Sequence, residues 1–346
     1  MSYRADSHEV TSRTELGPLA TQQAIKLCKD TFEARLADAL NLQRVTAPLF
    51  VPAGTGINDD LNGVERPISF HAPALDGQRL EIVQSLAKWK RLELGRLGMP
   101  PGAGIYTDMN AIRPEETLDE LHSLYVDQWD WERVVGEEDR SIAYLQDVVR
   151  SIYQALLATA AHLREHFPGL PTSLPDEVTF LHAQELADRH PDLSPRQRED
   201  LVVRRFGAVF VVGIGAPLSD GYPHDGRAPD YDDWITPNGR GRGLNGDLLV
   251  YHPPLGRAVE LSSMGIRVTP DSLLQQLEAR GCPERRHLPF HRRLLAGELP
   301  LSIGGGIGQS RLCLVLLGKR HIGEVQAAVW PEEERRRCRQ RGIDLL

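Results

Sequence analysis

Short segments in which apolar and polar residues alternate recur along this chain, and they constrain its fold more than any other feature. They lie at 81–83, 123–128, 208–214, 246–251 and 258–262, and a β-branched stretch covers 45–51, where Pro48 suggests a sheet edge or a bulge. Alternation buries one row of side chains and leaves the other row accessible. We therefore predict a mostly antiparallel sheet of about six to eight strands with one functional face.

Apolar residues at helical spacing indicate two long helices and several shorter ones. The first long helix is predicted at 21–44, where one stripe contains Cys28, Phe32, Leu36 and Leu40, and the second at 138–165. Shorter helices are predicted at 85–97, 194–206, 271–280 and 309–318, where they would cover the face of the sheet opposite the functional one. Together these elements indicate an α+β fold.

The composition suits one continuous fold. Of the 346 residues, 41% are hydrophobic and 25% are charged, which is enough for one large or two ordinary cores. The sequence lacks the roughly 20 consecutive apolar residues of a membrane span, and its polar start has no signal-peptide pattern, so we expect a cytoplasmic protein. The net charge of −8 disfavours nonspecific binding to nucleic acid, and the scattered cysteines imply neither disulfides nor a zinc site.

Acidic residues are concentrated at 224–234, where the sequence reads HDGRAPDYDDW. Carboxylates at this density repel one another unless cations, an amine or backbone donors lie between them. The segment is therefore either a ligand site or a very costly turn, and we predict the ligand site.

Four further polar clusters supply groups that a ligand would contact. They are 84–91, where Ser85 is placed as a helix N-cap; 113–116 together with 125–132; 246–247 together with 260–267; and the glycine-rich 302–311. For the first three a structural interpretation stays open, namely a capped basic helix, core tryptophans and a polar strand edge. The fourth lacks the lysine of a P-loop, but its glycines let the backbone approach a flat ligand.

Several of these motifs resemble those of the class II aminoacyl-tRNA synthetases. RPEE at 113–116 resembles motif 2, GGGIGQSR at 304–311 resembles motif 3, and the long helix leading into 46–48 resembles motif 1. The longer motifs are similar to those of the AMP-forming, ammonia-dependent asparagine synthetases: SLAKWKR (85–91), YVDQWDWE (125–132), RAPDYDDW (227–234), LNGD (244–247) and ELSSMGIR (260–267). This resemblance covers roughly residues 20–331.

The resemblance implies a class II synthetase-like antiparallel sheet flanked by helices, in a single catalytic domain at 21–331. Residues 1–20 extend beyond the family's usual start and are expected to be disordered, and 332–346 form a charged tail. The long first helix and the motif 1 strand would form a homodimer. No nucleic-acid or membrane partner is implied.

The resemblance also implies a reaction. The β-carboxylate of L-aspartate attacks the α-phosphate of ATP, in the presence of Mg²⁺, to give β-aspartyl-AMP and pyrophosphate, and ammonia then displaces AMP. The positions that match residues holding the amino acid are Asp59, Ser85, Lys88, Gln128, Asp130, Ser262 and Arg267. Those that match the ATP side are Lys90, Glu116, Arg227, Gly306, Gly308 and Arg311.

Three smaller groups of residues receive chemical roles from the same resemblance. Arg113 and Arg311 would offset charge that develops on the phosphates. Glu260 and Ser263 would hold Mg²⁺. Asp232 and Asp247 would hold ammonium and accept its proton.

Alternatives to this function stay open. Gln84 stands where a histidine is expected beside Ser85, which leaves the size of the nucleophile open, so activated aspartate could be joined to another small amine. The chain could also bind asparagine or AMP without turnover. A tRNA synthetase is disfavoured because the acidic chain has no region left for anticodon binding.

Overall fold

The computed structural model describes residues 16–59, 65–170 and 174–346. Its strands are β1 (Leu42–Arg44), β2 (Phe50–Pro52), β3 (Ser69–Ala72), β4 (Gln78–Ile82), β5 (Gly104–Ile112), β6 (Tyr125–Val134), β7 (Thr179–His182), β8 (Ala208–Val212), β9 (Asn245–His252), β10 (Arg257–Ile266) and β11 (Ser302–Gly308). Its α-helices are α1 (Pro18–Leu40), α2 (Ala87–Leu97), α3 (Ile142–His166), α4 (Ala183–Arg189), α5 (Pro195–Phe206), α6 (Pro270–Ala279), α7 (Pro289–Leu295), α8 (Gln309–Leu316) and α9 (Glu332–Gln340).

One large sheet organises the fold. Its eight strands lie in the order β1-β5-β6-β11-β10-β9-β8-β7, and a three-stranded sheet, β2-β4-β3, lies beside it. The pairs from β5 to β8 in this order are antiparallel, whereas β1 with β5 and β7 with β8 are parallel. The predicted α+β class and the predicted size of the sheet are therefore confirmed.

Alternation along β6 separates the two faces of the sheet. Trp129 and Trp131 are fully buried in the main core with residues of α1, α3 and α8, and the ring centroids of Phe32 and Trp129 are 5.0 Å apart. Because successive side chains of a strand point to opposite faces, Gln128 and Asp130 face away from these helices. The tryptophans are thus core residues, and the polar residues between them form the functional face.

The long helices follow their apolar stripes, but the segment after the first one differs from its prediction. α1 begins at Pro18 and ends at Leu40, where Asn41 adopts a left-handed φ of 54°. The predicted strand at 45–51 is mostly wrong, because β1 ends at Arg44 and β2 begins only at Phe50. Pro48 lies in the gap, where it has no N–H to donate to a strand ladder.

Of the shorter predicted helices, only α8 covers the face that we expected. Lys90 of α2 bonds to Asp130 on the functional face. Val202 of α5 packs with Val209 and Leu249, on the opposite side of the strands from the main core. α6 joins the acidic segment through Gln276, whose Nε2 donates to the carbonyl oxygens of residues 229 and 232 at 2.8 and 2.9 Å. Our placement of α2, α5 and α6 is therefore wrong. Helices also pack against apolar residues at the rim of the functional face.

The N-cap of α2 is also displaced from its prediction. The helix begins at Ala87 with Leu86 as N-cap, and Ser85 Oγ instead accepts a hydrogen bond from the Ala87 amide at 3.1 Å. The Ser85 hydroxyl is therefore placed at the start of the helix, at the edge of the functional face.

The C-terminal segment packs against the rest of the chain. α9 buries Cys338, Ile343 beyond it is also buried, and the Leu346 amide donates to Gly323 O at 2.8 Å. The segment that we predicted as a charged tail is therefore exposed on one side only. No disulfide joins the four cysteines, all of which are described. Across the described ranges, no helix is long and apolar enough to cross a membrane.

The glycines of β11 allow neighbouring side chains to reach across the strand. A Cβ on Gly304 would overlap Glu132 Oε2 and lie 2.6 Å from Arg267 Nη2. We expect Gly304→Ala to lower the free energy of unfolding by about 1–3 kcal/mol, because overpacking forces the buried ion pair to shift. Urea denaturation measures this difference.

Gly95 is the matched control for this substitution. It lies in α2, and a Cβ there would meet its nearest atom at 3.5 Å. Gly95→Ala should leave the unfolding free energy unchanged or raise it by about 0.5–1 kcal/mol, because alanine is the better helix former. Equal losses at the two positions would contradict the steric explanation.

Candidate active site

Three cavities on the functional face meet to form one groove. The central cavity, of about 220 Å³, is lined among others by Gln128 and Arg227. The side cavity, of about 190 Å³, is lined among others by Glu116 and Gly308. The outer cavity, of about 310 Å³, is lined among others by Glu199 and His224. Glu260 lines all three, so the cavities meet at this residue.

The fold gathers nearly all the predicted site residues around this groove. Lining the central cavity are Ser85, Lys90, Arg113, Gln128, Asp130, Arg227, Asp232, Glu260, Ser263, Arg267 and Gly306. Lining the side cavity are Arg113, Glu116, Gln128, Glu260, Gly306, Gly308 and Arg311. Lining the outer cavity are Asp247, Glu260 and Arg311.

Three predicted residues lie just outside the groove. Asp59 and Lys88 line a fourth cavity of about 280 Å³. Asp59 is nevertheless close to the central cavity, because Gln84 Nε2 donates to its carbonyl oxygen at 3.2 Å. Ser262 lines none of the four cavities, and its Oγ donates to Gly306 O at 2.9 Å. The Ser262 side chain therefore links β10 to β11.

A buried ion network forms the floor of the central cavity. Arg267 Nη2 donates to Glu132 Oε2 at 2.7 Å, Nη1 bonds to Asp232 Oδ1, and Ser302 Oγ donates to Glu132 Oε1 at 2.7 Å. Burial by itself raises the pKa of Glu132, but Arg267, with smaller contributions from Lys90 and Ser302, holds that pKa below its usual value. Glu132 is therefore a charged structural partner that holds Arg267 in place.

Glu132 was not among the predicted site residues, although the sequence contains a signal for it. The alternation that indicates Gln128 and Asp130 continues to Glu132, which thus lies on the same face. Only contact with Arg267, which is 135 residues away, shows what this carboxylate does.

Lys90 is more enclosed than its predicted role with ATP requires. Its Nζ donates to Asp130 Oδ1 and, at 3.0 Å each, to the carbonyl oxygens of Trp131 and Gly305. An ammonium group has three donors, so a bond to ATP requires one of these bonds to be exchanged. Burial lowers the pKa of Lys90, while Asp130 and Glu132 oppose this effect.

A break in the β9–β10 register determines what Glu260 and Ser263 face. Residues three apart in a regular strand point to opposite faces. Here Glu260 pairs with Leu249 while Ser263 pairs with Asp247, so three steps on β10 match two steps on β9. Such a bulge turns both side chains to the functional face, which explains why both line the central cavity.

Arg227 links the side chains of Asp247 and Ser263. Its Nη2 bonds to Asp247 Oδ1 and donates to Ser263 Oγ at 2.7 Å. Burial raises the pKa of Asp247 well above its usual value, Arg227 opposes this, and the carboxylates of Glu260, Asp225 and Glu199 raise it further. Asp247 thus holds a proton more readily than an ordinary aspartate does.

Two arginines retain donors that face the side cavity. Arg113 Nε is buried without a hydrogen-bond partner among the described residues. The Arg311 side chain is 28% exposed, and its Nη1 donates to Glu260 O at 3.2 Å. Guanidinium groups placed in this way suit an anion with several oxygen atoms, such as a phosphate chain.

The acidic segment 224–234 contains its own counter-ions. Asp230 Oδ2 lies 3.3 Å from Lys88 Nζ, Asp232 bonds to Arg267, and Asp233 Oδ2 accepts from Arg140 Nη2 at 2.6 Å. The predicted need for cations between these acids is met by protein side chains. Asp225 differs, because it lines both the central and the outer cavity.

Asp230 also has a histidine partner that was not among the predicted site residues. His291 is buried, and its Nε2 lies 3.0 Å from Asp230 Oδ2. Lys88 Nζ also lies 3.9 Å from Asp59 Oδ1. Asp59, Lys88, Asp230 and His291 thus form one buried cluster behind the central cavity. Sequence offers no signal for His291, because it lies in the short helix α7 with no recognisable motif.

The fold is similar to those of known synthetases. An asparaginyl-tRNA synthetase from Pyrococcus horikoshii, in complex with asparaginyl-adenylate, matches with a TM-score of 0.68 at 16% identity, covering 90% of this chain and 70% of that one. An aspartyl-tRNA synthetase from Entamoeba histolytica matches with a TM-score of 0.60 at 14% identity, covering 88% and 57%. The mostly antiparallel sheet and these similarities define a class II synthetase-like fold.

The sequence comparisons identify the family within this class. The profile of the family described as "Aspartate-ammonia ligase" matches residues 19–342, so the chain belongs to that family and is a ligase. An aspartate–ammonia ligase from Parabacteroides distasonis is 54% identical over 327 residues, 94% of this chain and 95% of the relative. One from Limosilactobacillus reuteri is 51% identical over 327 residues, with the same coverage of both chains.

Proposed function

We propose that this chain converts L-aspartate, ammonia and ATP into L-asparagine, AMP and pyrophosphate through a β-aspartyl adenylate. The observation that carries the proposal is the groove, in which arginines suited to phosphates and groups suited to an amino acid border the same space. The residues that line both the side and the central cavity are Arg113, Gln128, Glu260 and Gly306. Family membership supports the same reaction, and the relatives' names favour ammonia over another amine.

In the first half-reaction the side cavity holds ATP and the central cavity holds aspartate. Gln128 receives the α-carboxylate and Asp130 receives the α-ammonium. A Cβ on Gly306 would collide with Gln128 Oε1, so glycine keeps this amide in place. Arg113 and Arg311 stabilise the charge that develops as the β-carboxylate oxygen bonds to the α-phosphorus and pyrophosphate leaves. Such preorganised groups contribute several kcal/mol each, about 3–4 where one donor has been removed.

Glu260 and Ser263 fit the Mg²⁺ ion that accompanies ATP. The bulge turns a carboxylate and a hydroxyl to the same face, and Mg²⁺ prefers a few protein oxygens together with phosphate oxygens. When bound, the ion would neutralise phosphate charge. Arg227, which donates to Ser263 Oγ, orients that hydroxyl.

In the second half-reaction an ammonium ion loses a proton before it attacks. Asp247, assisted by Asp232, accepts the proton, and its pKa is raised by burial and by nearby carboxylates, which makes it a stronger base than an ordinary aspartate. The nitrogen lone pair then forms the bond to the β-carbonyl carbon. The C–O bond to AMP breaks, AMP leaves with its electron pair, and the nitrogen releases a second proton to solvent, which leaves the neutral amide of asparagine.

The substitution Asp247→Asn should separate the two half-reactions. We expect asparagine formation to fall by about 10²–10⁴-fold, because the proton acceptor is lost, while aspartate-dependent exchange of pyrophosphate into ATP continues. Steady-state product analysis and isotope exchange measure the two steps. Asp147→Asn, an exposed change on α3, is the control, and parallel loss of exchange in Asp247→Asn would show that Asp247 acts in adenylation instead.

The experiment that tests the proposed function is product analysis of the purified protein. It is incubated with aspartate and Mg-ATP, with and without ammonium, and products are identified by mass spectrometry. We expect AMP and asparagine only when ammonium is present. Adenylate turnover without asparagine would indicate another nucleophile, and no turnover would indicate a binding protein.

We also propose that the protein acts as a homodimer in the cytoplasm without a nucleic-acid partner. The dimer is supported by exposed apolar residues beside and within the small sheet, namely Leu49, Phe50, Phe70 and Leu75. Phe50 and Phe70 form an edge-to-face pair with centroids 5.3 Å apart, which a partner subunit would cover.

A further inference from the structure

The outer cavity is the part of the groove that the sequence motifs predicted least. Its charged lining comprises the carboxylates of Glu199, Asp200, Asp225, Asp247 and Glu260 and the guanidinium groups of Arg196 and Arg311. Five carboxylates thus outnumber two arginines. A cavity lined mainly by one sign of charge raises the local concentration of its counter-ion.

His224 adds a second, independent feature to this cavity. Its side chain is 0% exposed, and its Nε2 lies 3.0 Å from Glu199 Oε1. Its Nδ1 is buried without a hydrogen-bond partner among the described residues. In the neutral ring whose Nε2–H donates to Glu199, Nδ1 carries a lone pair, so this group can only accept a hydrogen bond.

The position of the cavity links it to the reaction. Asp247 lines its inner end and bonds to Arg227, which lines the central cavity. Glu199 and Asp225 line the same cavity as Asp247. The cavity therefore leads from its acidic lining to the proposed proton acceptor.

We propose that the outer cavity is the entrance for the ammonium ion, and that Glu199, His224 and Asp225 select this ion on its way to the adenylate. Ammonium carries a positive charge and four N–H donors, whereas these three side chains offer negative charge and acceptors. The inference rests on the proposed function, because it assigns the route by which ammonium reaches the site of the second half-reaction. Glu199 and Asp225 act on the concentration of ammonium and not on the bond-forming step.

Charge-neutralising variants with two nucleophiles test the proposal. Glu199→Gln and Asp225→Asn are assayed with ammonium and with hydroxylamine, which has a similar size but is largely uncharged near pH 8. We expect the KM for ammonium to rise by about threefold to tenfold. The KM values for hydroxylamine, aspartate and ATP should stay unchanged.

Arg196→Gln provides a test of opposite sign. Arg196 is exposed and lines the same cavity, so its removal should lower the KM for ammonium. Glu165→Gln on the far helix α3 is the matched control and should change nothing. If Arg196→Gln instead weakens inhibition by pyrophosphate and leaves the ammonium KM unchanged, the cavity is an exit for pyrophosphate and the proposal is overturned.

Failure of this proposal is distinguishable from failure of the proposed function. A wild-type protein that forms neither asparagine nor the hydroxamate would overturn the proposed function. A wild-type protein that forms both, with equal responses of ammonium and hydroxylamine to Glu199→Gln, would overturn only the assigned route. A change in Mg²⁺ dependence with an unaltered ammonium KM would also overturn it.

Discussion

Arg311→Ala should lower aspartate-dependent pyrophosphate exchange by about 10²–10³-fold, because it removes a preorganised cation from the site where phosphate charge develops. Arg311 lies at the start of α8, directly after the glycine-rich strand, and lines both the side and the outer cavity. Its Nη1 contacts the Glu260 carbonyl oxygen, which leaves other donors for a ligand. Exchange of labelled pyrophosphate into ATP measures the adenylation step without the second half-reaction.

Arg96→Ala is the matched control for this experiment. Arg96 lies on α2, is exposed, and pairs with Glu93 on the same helix. Its removal should leave the exchange rate within about threefold of the wild type, since exposed ion pairs of this kind contribute little. An Arg311→Ala protein that is folded and exchanges at the wild-type rate would contradict the assignment of Arg311 to the phosphates.

Glu132→Gln should lower the free energy of unfolding by about 3–5 kcal/mol, because removal of one partner leaves a buried charge uncompensated. Glu132 is fully buried and accepts from Arg267 Nε and Nη2, while Lys90 Nζ lies 3.9 Å away. Chemical denaturation of both proteins at neutral pH measures the difference.

The pH dependence of this difference follows from the pKa of Glu132. That pKa is held below its usual value in the folded protein, so the ion pair stabilises the fold above the unfolded-state pKa and loses this effect as the pH falls through the folded-state pKa. The wild type and Glu132→Gln should therefore become more alike in acid. Glu298→Gln, which affects an exposed pair with Arg293, is the control and should cost less than about 1 kcal/mol at any pH.

Local periodicity was enough to predict several elements. α3 and α5 follow their apolar spacing, and Ser194 begins α5 with a capping box that includes Gln197. β8, β9 and β10 lie where alternation or a β-branched run indicated strands. These predictions succeed because the side-chain period and the end signals lie within a few neighbouring residues.

Strands whose pattern is hidden by burial on both faces could not be predicted in this way. β5 was missed, although it lies between β1 and β6 in the large sheet. Ile105 packs with Leu94 of α2, while the Tyr106 hydroxyl donates to Glu33 of α1 at 2.8 Å. Because both faces are covered, the strand does not alternate clearly between apolar and polar residues.

The sequence by itself determined the residue types of the site, their order along the chain and, through its motifs, the family to which the chain belongs. Only the tertiary structure decided that a bulge turns Glu260 and Ser263 to the same face and that Glu132 neutralises Arg267. It also brought Glu199 beside His224 in a cavity that no motif indicates. The physical reason is range: helix and strand periods act over a few residues, whereas strand register and the pairing of buried charges depend on segments far apart in the chain.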